Sequence, residues 1–109
     1  MSAESSFVLS IAQVVDAPQG QFEQEIIDQH VNVGQLQNMV ILLESVYGQL
    51  CVQKDMVVNS VTRGERSKDD PQVKSTLEGL YAEMTKIELK VTFLKNRRKE
   101  LIHRTENTD

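Results

Sequence analysis

Tryptophan is absent from this 109-residue chain, aromatic residues make up only 5% of it, and cysteine occurs once, at Cys51. With so few large rings a thick globular core is hard to fill, and helices packed along narrow apolar seams suit the composition better. A lone cysteine excludes an intramolecular disulfide framework, so a reducing compartment is the expectation. Two prolines and five glycines are too few for the tight turns of a multi-stranded β fold. Long apolar runs are missing as well, since no segment approaches the roughly 20 residues a membrane-spanning helix needs. The N-terminal apolar run, Phe7 to Val15, is broken by Ser10 and Gln13 and preceded by Glu4, where an export signal carries positive charge. Together these absences predict a soluble, cytoplasmic chain.

Positive charge is missing from a whole half of the sequence. Met1 to Gln53 holds Glu4, Asp16, Glu23, Glu25, Asp28 and Glu44 but no lysine or arginine, whereas Lys95, Arg97, Arg98, Lys99 and Arg104 crowd the other end. In an antiparallel arrangement the acidic start faces the basic end, which favours one register over a parallel alignment.

What the chain does have is a heptad seam. From Val73 apolar residues return at alternating steps of four and three: Leu77, Leu80, Met84, Ile87, Val91 and Leu94, then a polar break at Arg98, then Leu101. A straight helix drifts off a seven-residue repeat, so a helix that keeps one stays in register by wrapping around another helix. A second seam runs Phe22, Ile26, Gln29, Val33, Leu36, Val40, Leu43, Tyr47, Leu50, Lys54, Val57 and Val61. Ile27, Met39, Leu42 and Val46 widen its stripe, as in a helix touching more than one neighbour. Gly34 marks a bend or the start of the regular helix.

Between the seams, Arg63 to Asp70 has no large apolar residue and reads as a solvated loop. Asp70-Pro71 is a helix-start signal, because the carboxylate accepts from unpaired amides and proline fits the first helical position. The expected fold is all-α. A flexible N-terminus over 1–20, with Phe7–Val15 as a short docking segment, precedes a long antiparallel helical hairpin over 21–109. That hairpin comprises a helix over about 21–62, a loop over 63–70 and a helix over about 71–104. Such a coiled-coil-like rod is expected to assemble into a dimer or larger bundle.

The interaction seam is assigned to Leu36, Val40, Leu43, Tyr47 and Leu50 with Leu77, Leu80, Met84, Ile87, Val91 and Leu94. Leu89 and Phe93 lie four apart on the far side of the second helix and form a separate candidate partner face. Lys54 and Arg98, polar residues in the seams, are candidates for setting register, or else snorkel outward. No constellation specifies a reaction. His30, His103 and Cys51 lack a second strong ligand at metal-binding spacing, and Cys51 has no local base. Glu23 with Glu25 and Asp69 with Asp70 read as solvation and capping. The run Lys95–Glu100 is basic, but with a pI of about 5.2 and no interleaved aromatics a nucleic-acid partner is not expected.

The expected role is therefore a non-enzymatic protein–protein interaction protein, a small coiled-coil subunit or adaptor of a larger complex, with no cofactor. The hairpin plan and the Asp69-Asp70-Pro71 step resemble the needle and inner-rod subunits of type III secretion systems, small two-helix chains with an Asp-Pro or Asn-Pro step before the C-terminal helix. The resemblance implies a structural subunit, or a small helical chaperone shielding one, as the alternative role. The ending KNRRKELIHRTENTD departs from it, since that family's tail is more apolar.

Overall fold

The computed structural model describes residues 11–107, with side chains for 14–104, and all of its regular structure is helical. Four helices follow in order: α1 (Ile11–Asp16), α2 (Gln19–Asp28), α3 (Val33–Thr62) and α4 (Pro71–Asn107). No strand occurs among the described residues. The stretches Met1–Ser6 and Phe7–Ser10, expected to be flexible and to begin a docking segment, lie outside them.

α3 and α4 form the hairpin and run antiparallel: Glu44 meets Lys95 at 3.2 Å, and Tyr47, further along α3, meets Glu88, further back on α4, at 2.7 Å. The molecule measures 61 × 30 × 20 Å, and its radius of gyration of 18.0 Å exceeds the about 13 Å of a compact chain of this length. At its tip the turn is chemically specified. Gly64 takes φ +79°, and the Glu65 and Gly64 amides donate back to the carbonyls of Ser60 and Val61, the paired bonds of a Schellman cap. Asp70 Oδ1 then accepts from the Gln72 amide at 2.8 Å, with Pro71 opening α4.

The single helix expected over 21–62 is in fact two. α2 ends at Asp28, and His30 adopts φ +53°, the left-handed conformation usually left to glycine. Its amide and that of Val31 donate to Ile27 and Ile26, so a second Schellman cap is built around a histidine. Asn32 then starts α3 with a capping box: its side chain accepts from the Gln35 amide while Gln35 Oε1 accepts from the Asn32 amide. The seam periodicity passes through this joint without losing phase, which is why the pattern alone reads as one helix.

The break lets α1 and α2 fold back as a third layer over one half of the hairpin. Val14, Phe22, Ile26 and Val31 pack with Leu36, Met39, Val40 and Leu43 of α3 and with Ile87 and Leu94 of α4 in one core cluster. Beyond it, toward the tip, the hairpin is two helices thick. Val73 and Met84 are buried there, while Leu50, Val57, Val61, Leu77 and Leu80 are only partly covered.

Candidate interaction surface

The seam residues divide by position along the rod. Leu36, Val40, Leu43, Met84, Ile87 and Leu94 are buried, and Tyr47, Leu50, Leu77, Leu80 and Val91 are partly buried. Those near the α2 end meet residues of their own chain on two sides; those near the tip do so on one.

Phe93 and Leu89, assigned from sequence to one outer face, are separated by the third layer. Phe93 packs edge-to-face on Phe22, with centroids 6.2 Å apart and rings inclined by 70°, a favourable aromatic geometry. Leu89 stays 53% exposed, at the edge of a cleft of about 290 Å³ that Pro18, Gln19 and Lys86 also line.

Sequence reasoning missed Lys90. It lies on the flank of α4 that α1 and α2 cover and is buried. Its ammonium donates to the Val15 carbonyl, in the last turn of α1, at 3.1 Å and stands 5.7 Å from the centre of the Phe22 ring. A cation suits the carbonyl end of a helix and the face of an aromatic ring. Burial, and next the charge of Lys86, push its pKa below the ordinary lysine value, while Glu83 and Asp16 oppose the shift. Nothing in the sequence distinguishes Lys90 from the exposed lysines of α4, since its burial depends on where α1 comes to rest.

Of the two polar seam positions, Lys54 is partly buried and bonds its neighbour Asp55 at 3.0 Å, the contact that raises its pKa most. Arg98 is partly buried. Tyr47, on the hairpin side opposite Lys90, donates to Glu88, and this bond raises its hydroxyl pKa above the usual tyrosine value. The expected meeting of the acidic start, Glu23 to Asp28, with the basic end, Arg97, Arg98, Lys99 and Arg104, forms no ion pair among the described residues; Lys95 pairs with Glu44 of α3. Glu23, Glu25 and Asp28 instead accept from Gln19, Gln21 and Gln24, each one turn earlier on α2.

No family model, curated protein or solved structure matches the chain.

Apolar residues also remain uncovered on α3 and toward the tip. On the back of α3, Ile41, Val52 and Met56 are 56%, 59% and 65% exposed and share a face at near-helical spacing. Toward the tip, Val58 and Tyr81 are exposed beside the partly covered seam. Among the described residues no group of three His, Cys, Asp or Glu is placed to hold a metal ion. Cys51 is a free thiol, partly buried in α3, and among the described residues no helix is long and apolar enough to cross a membrane.

Proposed function

We propose that the chain is a non-enzymatic assembly protein, a small helical subunit or adaptor that joins a larger complex by helix packing. The carrying observation is the unequal thickness of the hairpin. Where α1 and α2 lie on it, its apolar residues are covered; toward the tip the same seam continues with no third layer, and Val58 and Tyr81 stand in water beside the partly covered Leu77 and Leu80. A helix or helix pair laid along this half would extend the third layer and cover the partly exposed seam. The residues assigned to the contact are Leu50, Leu77, Leu80, Val58 and Tyr81.

The test is sedimentation equilibrium of the chain over a wide concentration range, beside Val58→Glu and Tyr81→Glu. Self-association that both variants abolish while helicity is retained supports a homo-oligomeric subunit. A monomer that tightens only with an added client helix, by the same surface, favours the chaperone reading. A monomer in which both substitutions leave stability and client binding unchanged removes the tip from the assembly role.

A further inference from the structure

At the end of the rod away from the tip, the α2–α3 joint and the last turns of α4 enclose an open cleft of about 420 Å³. His30, Asn32 and Val33 line it on one side, and Arg97, Leu101 and Arg104 on the other. Arg97, Leu101 and Arg104 follow one another at steps of four and three, so both guanidinium groups project from one face of α4. Among the described residues no carboxylate lines the cleft. Glu100 lies within one turn of each arginine, yet neither makes an ion pair with it or with any other described residue. The Arg97 Nε is a buried donor with no partner among the described residues. An unanswered buried donor on a charged group is costly and calls for an acceptor. The start of α3, whose Asn32 and Val33 line the cleft, adds to the same potential: the Asn32–Gln35 box engages the amides of those two residues, leaving the Val33 and Gly34 amides at the positive end of a 30-residue helix.

From this geometry we infer that the cleft between the α2–α3 joint and α4 is a binding site for a phosphate monoester, gripped by Arg97 and Arg104. Planar guanidinium groups bind phosphoryl oxygens in paired bonds, and two of them match the charge of the dianion. The site stands independently of the assembly role, because it lies at the opposite end from the surface assigned to partners.

The test is a titration of the full chain with inorganic phosphate, followed by the amide signals of Val33 and Gly34 and the side-chain Nε–H signal of Arg97. Ionic strength is held constant with chloride. The expected result is saturable shifts at all three, weakened at least tenfold in Arg97→Gln and in Arg104→Gln. Arg97→Lys, which keeps the charge but loses the fork and the Nε donor, weakens binding severalfold. Lys99→Gln removes the same charge from another face of α4 and leaves binding within twofold. Repeating the titration with glycerol 3-phosphate and with vesicles containing phosphatidic acid separates a soluble ester from a lipid headgroup, and the tighter of the two identifies the source. Non-saturating shifts, or equal weakening by Lys99→Gln and Arg104→Gln, overturn the site. Arg104 is exposed, so its substitution decides the matter even where Arg97→Gln perturbs folding.

Discussion

Removing the Phe22 ring separates a two-layer hairpin from one with a docked third layer. Phe22 is fully buried, belongs to the cluster that joins α2 to Leu36, Leu43, Ile87 and Leu94, and contacts Phe93 edge-to-face. Truncating a buried phenylalanine to alanine costs about 3–5 kcal/mol, the lost transfer energy plus the cavity left behind. Roughly 0.5–1.5 kcal/mol of that belongs to the aromatic pair, with a further contribution of about 0.5 kcal/mol or more from the Lys90 ammonium near the ring. A domain of this size has roughly 5–15 kcal/mol in all, so Phe22→Ala should remove a large fraction of its stability. Ile27→Ala, on the same helix but 42% exposed, should cost under about 1 kcal/mol. Urea unfolding followed by far-ultraviolet circular dichroism measures both, and a double-mutant cycle with Phe93→Ala should return a coupling of about 1 kcal/mol. If Phe22→Ala lay within about 0.5 kcal/mol of Ile27→Ala, or the cycle showed no coupling, α2 would not be packed on α4 as described.

Three further outcomes follow from named contacts. The Lys90 pKa is lower in the folded chain than the ordinary 10.5; the unfolded state therefore holds more protons in the window just below 10.5, and stability should rise with pH there. Lys90→Met should flatten that rise in urea midpoints measured from pH 8 to pH 10. His30→Gly should stabilise the chain by about 1 kcal/mol by relieving a left-handed histidine, and Gly64→Ala should destabilise it by a similar amount, both read from thermal melts. Ile87→Asp places an unpaired carboxylate in the core and should cost several kcal/mol, whereas Lys86→Asp, at a largely exposed site paired with Glu83, should do little; comparable melting curves would reject the seam register.

The hairpin was legible because its signals are local and repeated. The steps of four and three from Val73 to Leu94, and the Asp70-Pro71 start, each have one structural reading, and the chain adopts it. The joint at His30 was hidden by agreement between neighbours: α2 and α3 carry apolar residues in one continuous phase, and a histidine stands where glycine usually announces a helix end. Asn32 followed by Gln35 was the signal available there, since that spacing forms a capping box. The third layer was less accessible still. That Phe93 turns inward onto Phe22 while Leu89, four residues earlier, stays in water depends on the path of α2, which periodicity on α4 does not encode. Lys90 and the arginine-lined cleft share that cause: Val15 and Phe22, which the joint folds back over α4, meet the first, and His30, Asn32 and Val33 of the joint itself line the second.

The uneven thickness of the rod has a consequence for how the chain would be cut. Arg63, Arg66 and Lys68, all targets of trypsin, crowd the tip, where few buried side chains resist local opening. A single nick there would leave two pieces whose main bonds to one another lie at the far end, through Leu36, Leu43, Ile87 and Leu94. Those halves should elute together from a sizing column and part only in denaturant, so that the intact-looking particle would hide a severed backbone.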